Sequence, residues 1–420
     1  MVNVALANGE TVLCAYKQSD IGPIPADWRL EPMANLGQSL AGLTYSPSDV
    51  RESGTLVLRS SNVQEGRLSY VDNVFVQMEI PGRVLVREGD ILICVRNGSR
   101  ELIGKCARID QNANGMAFGA FMGVFRSSIN DLVFFAFHSY YVQRQIREHL
   151  GATINQITNK SLKSFLIAVP STEREVRRIA GALSDADALI EALETLIVKK
   201  RAIMQGAMQD LLSGRKRLPG FSANWETLPL SNICTKIQDG THFSPKTGGG
   251  DFLYVTSRNI ARGFLDLRDV ETVSLAEHQK IYGRCDPRKG DILLTKDGAS
   301  TGNAAINTID EQISLLSSVA MLRLDEAKHS ADFFLQKLLV EEGQKQIRDM
   351  MSGNAITRLT LAKIKALIFL VPPHNEQLAI SDVLTCMKDE IFTLEAKLAK
   401  ARQIKQGMMQ ELLTGRVRLV

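Results

Sequence analysis

The chain has 420 residues, 45% of them apolar and 23% charged, and a net charge of +4. That composition suits globular protein with room for more than one core, and the slight positive balance permits nucleic-acid or membrane-surface binding without arguing for either. No segment approaches the roughly 20 apolar residues of a membrane helix, and Met1 to Glu10 lacks the pattern of a signal peptide. The six cysteines, Cys14, Cys94, Cys106, Cys234, Cys285 and Cys386, are dispersed, with no Cys-x-x-Cys and no zinc-ligand spacing. Neither a disulfide framework nor a metal site is expected, and a reducing, cytoplasmic location is.

In chain order, Asp27-Trp28 opens the first half. Asp90 to Val95, Phe121 to Phe125 and Phe165 to Val169 are apolar runs of strand length, with a helical stretch predicted over Asp131 to His149. After Pro170, apolar positions recur at alternating three- and four-residue steps: Val176, Ile179, Leu183, Ala186, Ile190, Leu193, Ile197, Lys200, Met204, Ala207, Leu211. Gly214 and the cations after it supply a stop.

Everything then returns. Asn224-Trp225, the strand-like Asp291 to Thr295, Val319 to Leu324 and Leu367 to Val371, and the helical Asp332 to Met350 repeat the first half. A second seam runs Ile380, Leu384, Met387, Ile391, Leu394, Leu398, Ala401, Lys405, Met408, Leu412 and stops at Gly415. The tail Met208-Gln209-Asp210-Leu211-Leu212-Ser213-Gly214 matches Met409-Gln410-Glu411-Leu412-Leu413-Thr414-Gly415, and Gly89-Asp90-Ile91-Leu92 matches Gly290-Asp291-Ile292-Leu293. A period near 200 residues exceeds any solenoid unit and means duplicated α+β domains. Each predicted helix is close to 60 Å long at about 1.5 Å per residue. The strict 3.5-residue period favours two helices pairing with each other over each packing on its own domain.

Catalytic signatures are missing. The one Pro-Pro, Pro372-Pro373, follows Val371 and precedes His374, so no Asn-Pro-Pro-aromatic motif of an adenine methylase exists. Gly98 to Lys105 is one residue too long for a phosphate loop and runs into Cys106 instead of Ser or Thr. His138, His149, His242, His278, His329 and His374 are isolated, and Glu395-Ala396-Lys397 reads as charge on a coiled-coil exterior rather than part of a nuclease motif.

The opening Tyr16-Lys17-Gln18-Ser19-Asp20-Ile21-Gly22-Pro23-Ile24-Pro25-Ala26-Asp27-Trp28, the second entry Leu218-Pro219-Gly220-Phe221, the two helix tails, and Asp239-Gly240-Thr241-His242-Phe243-Ser244-Pro245-Lys246 with Arg258-Asn259-Ile260-Ala261-Arg262-Gly263 resemble the specificity subunit of type I restriction-modification systems. The resemblance covers nearly the whole chain. One departure is Ser171-Thr172-Glu173-Arg174-Glu175 where the second copy has Pro373-His374-Asn375-Glu376-Gln377, which leaves the start of the first helix open.

The resemblance implies an α+β fold of two similar target-recognition domains, each a mixed β-sheet with flanking helices, separated by an antiparallel coiled-coil pair. Expected divisions are a tail at 1–18, a domain at 19–171, a helix at 172–218, a domain at 219–372 and a helix at 373–420. Each domain is expected to read half of a bipartite, asymmetric DNA site while the helices set the spacer. Implied partners are double-stranded DNA, two copies of a methyltransferase (modification) subunit and a restriction subunit. S-adenosylmethionine belongs to the modification subunit, and this chain is expected to be non-catalytic and free of membrane. A protein scaffold without DNA reading, or a self-contained DNA-modifying enzyme, are the rival readings.

Phosphate contacts position a duplex and base-edge contacts specify it. Candidates for both roles are Ser60, Asn62, Arg96, Asn97, Ser99, Arg100 and Lys105 in the first domain, and Thr241, His242, Ser244, Lys246, Arg258, Asn259, Lys296 and Asp297 in the second. Asn62 and Asn259 occupy equivalent places and serve either a fold-maintaining turn or base reading. Positions that differ between copies, such as Asn97 against Asp297, are the better base readers, and Lys246 and Lys296 are expected on phosphate.

Overall fold

The computed structural model describes residues 2–5, 11–150, 155–351 and 358–420. Part of the Met1 to Glu10 segment and the Cys14 side chain therefore lie outside the described residues. Two compact units form, residues 1–194 with 396–420 and residues 195–395, so each contains one globular domain and a piece of both long helices. Among the described residues no helix is long and apolar enough to cross a membrane.

The two domains repeat one topology. In the first, β1 (Gln38–Ala41), β2 (Thr55–Leu58), β3 (Ile91–Cys94), β4 (Cys106–Arg108), β5 (Ala117–Phe118) and β6 (Met122–Arg126) build a four-stranded sheet ordered β4-β3-β6-β1 and a second sheet in which β2 pairs in parallel with β5. In the second, β7 (Cys234–Asp239), β8 (Thr247–Val255), β9 (Ile292–Thr295), β10 (Ala304–Ile306), β11 (Ser314–Leu315) and β12 (Val319–Leu324) give the order β10-β9-β12-β7 and the parallel pair β8 with β11.

The Gly-Asp-Ile-Leu motif marks the central strand of each sheet. The glycine takes a left-handed conformation, φ 82° at Gly89 and 92° at Gly290, which favours a residue without Cβ. The aspartate behind it is buried and accepts two bonds from one guanidinium. Arg126 donates to Asp90 at 2.8 and 2.6 Å, and Arg323 to Asp291 at 3.0 and 2.9 Å. Successive strand residues point to opposite faces. Ile91 and Ile93 enter one core while Leu92 and Cys94 enter another, and Ile292 and Leu294 part from Leu293 in the same way. A strand buried on both faces must be apolar throughout, which explains why these runs do not alternate.

The helical stretch predicted as one element in each half is two. Asn130–His138 and Tyr140–Leu150 break at Ser139, and Ala331–Leu339 and Glu341–Met350 break at Val340, both in extended conformation. The repeated Gln-x-Gln-Ile-Arg motif stabilises the break. Gln143 Nε2 donates to the Phe137 carbonyl at 2.6 Å and Gln344 Nε2 to Leu338 at 2.7 Å, satisfying carbonyls that the interrupted helix leaves open. The next glutamine extends a strand by side chain. Gln145 bonds both backbone groups of Leu166 at 2.8 and 3.0 Å, and Gln346 does the same to Ile368 at 3.1 and 2.9 Å.

The long helices run Glu173–Leu212 and His374–Leu412. Thr172 Oγ1 accepts from the Glu175 amide at 3.3 Å, so the departing Ser-Thr-Glu sequence still starts a helix in place of Pro-His-Asn. Every predicted seam position in both helices is buried or half-buried. In the first unit the helices lie side by side and antiparallel, with Lys405 2.5 Å from Asp187 and Arg402 2.8 Å from Glu194. In the second unit Lys200 is 2.7 Å from Glu390 and Arg201 2.6 Å from Glu395. The glutamate of Glu395-Ala396-Lys397 is thus a partner in a helix-to-helix ion pair. Val176, Ile179 and Leu183, and likewise Ile380 and Leu384, also join the domain cores, so pairing and packing on the globular domain share the seam.

Each helix ends in a left-handed glycine, φ 73° at Gly214 and 70° at Gly415, packed on a tryptophan ring. The tail arginine then returns to a glutamate with 0% exposure at the start of the other helix. Arg217 meets Glu376 twice at 2.5 Å, and Arg418 meets Glu175 at 2.5 and 2.8 Å. Arg418 additionally bonds Asp27 at 3.0 and 2.9 Å. Hydrogen bonding to Glu175 first, and then to Asp27, raises the Arg418 pKa beyond its ordinary value against the opposing effect of burial.

Candidate nucleic-acid interface

In the first domain, the connection from β3 to β4 carries most of the candidates. Asn97 Nδ2 donates to Ser60 Oγ at 3.1 Å and its Oδ1 accepts from the Ser99 amide at 2.9 Å, which draws Ser60, Asn97 and Ser99 into one patch. Arg96 is exposed beside them, its guanidinium 5.2 Å from the centre of the Phe121 ring. Arg100 is exposed on the short turn Arg100–Leu102, and Lys105 is half-buried where the connection re-enters the sheet.

Asn62 does not belong to this surface. Its side chain has 0% exposure, accepts from the Arg59 amide at 2.9 Å and donates to the Ser69 carbonyl at 2.9 Å. Asn259 repeats the arrangement, accepting from the Thr256 amide at 3.0 Å and donating to Asp266 at 3.2 Å. The structure therefore decides for the fold-maintaining turn at both asparagines.

In the second domain the candidates converge on an ionic cluster. Lys296 has 2% exposure, and its Nζ lies 2.9 Å from Asp297 and 3.5 Å from Asp239. Asp239 also receives Arg284 at 3.1 Å and His242 at 3.2 Å, while Arg358 reaches Asp297 at 3.5 Å. Lys296 is thus committed to two carboxylates inside the protein, which corrects its expected place on phosphate. A buried ammonium needs such partners because desolvation penalises an unpaired charge. Thr241 is also buried, and its Oγ1 accepts from the Phe243 amide at 3.2 Å, so it shapes the turn. His242, Ser244, Lys246 and Arg258 are exposed, and Asp297 is half-buried.

Backbone pairing also corrects the register between the two copies. Arg96 bridges Gln156 as Asp297 bridges Arg358, and the Val95 amide donates to Phe121 as the Lys296 amide donates to Ser318. Arg96, not Asn97, is the counterpart of Asp297, and Val95 that of Lys296. The loop glycines Gly98 and Gly298, on which the two segments can be matched by eye, are not equivalent.

Phe121 in the first domain and Arg284 and Arg358 in the second lie beside these candidates without having been singled out by the sequence. Phe121 reads as the first apolar residue of a strand, yet the strand begins at Met122 and Phe121 is 58% exposed. Arg284 and Arg358 are remote in sequence from the acids they meet and carry no local signal. Burial pushes the Cys234 and Cys285 thiols up to about 12 and raises Cys94 as well, away from the thiolate a nucleophile requires.

The model of the type I restriction modification DNA specificity domain matches this chain twice, over residues 42–199 and 222–405. The chain belongs to that family. The MjaIX type I restriction enzyme specificity subunit of Methanocaldococcus jannaschii is 20% identical over 96% of both chains. The HsdS subunit from Thermoanaerobacter tengcongensis superposes with TM-score 0.51 at 16% identity over 94% of this chain and 98% of its own. A type I restriction-modification S subunit from M. genitalium gives 0.54 at 16% identity over 92% and 96%. The protein is a type I DNA sequence-specificity subunit built from two target-recognition domains.

Proposed function

We propose that each domain reads one half of a bipartite, asymmetric DNA site and that the paired helices set the unread spacer and dock the methyltransferase subunits. The observation that carries this reading is a common scaffold with contrasting chemistry at equivalent loop positions: Arg96 against Asp297, Val95 against Lys296, Phe121 against Ser318. A duplicated fold that kept its core motifs and diversified its loops suits two different targets of one kind. Ser60, Arg96, Asn97, Ser99, Arg100 and Lys105 face the first half-site, and His242, Ser244, Lys246, Arg258 and Asp297 the second.

The domains at 19–171 and 219–372 are the exchangeable readers, joined by helices at 172–218 and 373–420. Two copies of the modification subunit bring S-adenosylmethionine and the chemistry, a restriction subunit completes the complex, and this chain catalyses nothing itself in the cytoplasm. Exchanging Ser222 to Leu370 for the same segment of a relative changes one half of the methylated sequence and leaves the other intact. Methylome sequencing reads the result, and an unchanged motif, or two changed halves, refutes the assignment. Methyl transfer by the purified chain alone would favour the enzyme reading.

A further inference from the structure

At the end of β3 the first domain carries an exposed aromatic ring at a position where the second has Ser318. Phe121, 58% exposed, precedes β6 and is fixed to the reading loop because its carbonyl accepts from the amides of Val95 at 3.0 Å and Arg96 at 3.1 Å. The Arg96 guanidinium lies over the ring at 5.2 Å, and among the described residues no carboxylate lies within 4 Å of it. Beside the ring opens a cavity of about 650 Å³ walled by Leu43, Tyr45, Val74 and Met122, with Arg59 and Ser60 at its edge. In the second domain Ser318 takes the place of Phe121, and its hydroxyl accepts from the Ser257 amide at 3.3 Å.

An apolar surface edged by Arg59 and Arg96 and set among polar candidate residues matches a base edge that is itself apolar. In the major groove every base presents hydrogen-bonding groups, and thymine alone adds a methyl group. Resting on the half-site reading above, we propose that the rim formed by Phe121 and Tyr45 packs against the C5 methyl of a thymine in the first half-site. Arg96 supplies the positive charge that holds the backbone alongside, while Arg59 is paired with Asp72 at 2.9 Å. At the equivalent place in the second domain Ser318 offers no such contact.

The test uses the full chain in complex with its modification subunit and duplexes carrying the methylome-defined site. Replacing each thymine of the first half-site in turn by deoxyuridine removes one methyl and nothing else. At one position of the first half-site binding weakens about four- to tenfold, the loss expected for one buried methyl. Phe121→Ser, which installs the second domain's residue, abolishes that discrimination, while Phe121→Leu keeps part of it. A first half-site without thymine, indifference to deoxyuridine at every position, or undiminished discrimination by Phe121→Ser overturns the proposal. So does a Phe121→Ser chain that loses only its grip on the modification subunit, which would assign the ring to a protein interface. Failure to bind any site selectively removes the half-site reading itself, an outcome distinct from selective binding that ignores the methyl.

Discussion

The two domains set the same loops on the same strands and arrive at opposite surfaces. At the end of β3 the first domain places an apolar Val95, an exposed Arg96 and an aromatic ring. At the end of β9 the second places a buried lysine held between Asp239 and Asp297, with Arg284, His242 and Arg358 around them. Position 41 makes the difference possible: the first domain has Ala41 at the end of β1, where the second has Asp239 at the end of β7. A free arginine suits guanine or phosphate, whereas a carboxylate clamped by cations presents an acceptor in a fixed direction. The comparison teaches that a duplicated scaffold can be re-aimed by changing which charges it buries.

The largest expected effect strikes that cluster. Lys296→Ala removes the buried cation from Asp239 and Asp297, which keep only the exposed Arg284, His242 and Arg358, and destabilises the second unit by about 3–5 kcal/mol, the usual consequence of breaking a buried pair. Val95→Ala, at the equivalent place, loses only packing. Thermal unfolding with domain-specific probes separates the two, and equal losses would contradict the buried role of Lys296.

Next come the tail arginines. Arg418→Ala abandons Glu175 and Asp27 together and lowers stability by about 3 kcal/mol. Arg217→Ala, which among the described residues has Glu376 as its one carboxylate partner, costs less. Chemical denaturation ranks them, and the reverse order would show that Asp27 contributes nothing.

The smallest effect is a pH dependence, which His138 gives the first unit and His329, its pKa also lowered by burial, gives the second. Burial lowers the pKa of His138, whose ring is held 2.9 Å from the Phe134 carbonyl, while the second domain has Leu339 at that point of its helix. The unfolded chain binds a proton that the folded one refuses, so stability is full above the ordinary histidine value near pH 6.5 and declines as pH falls below it. His138→Leu flattens this slope in the first unit and leaves the second unchanged; an unaltered slope would place the acid sensitivity elsewhere.

Much of this was legible in the residues. The duplication, both heptad seams and the central strands rest on periodicity and on short repeated motifs, such as the glycine and aspartate before β3 and β9. The candidate site was less legible. Arg96, Asn97, Ser99 and Ser60 do come together, but Asn62, Thr241 and Lys296 are buried, and polar residue type alone does not distinguish a reader from a structural hydrogen bond. The helix breaks at Ser139 and Val340 were equally hidden, since the glutamines that stabilise them act from the next element.

By itself, then, the sequence determined the repeat, the strand and helix frame and the length of the helices, because each follows from short-range spacing of apolar residues and glycines. Tertiary structure alone decided which side chains face solvent, that Arg217 and Arg418 reach back to Glu376 and Glu175, and that Phe121 stands exposed where Ser318 is tied down. Those outcomes depend on groups up to 243 positions apart meeting in a low-dielectric interior, where an unpaired charge costs more than any local preference supplies.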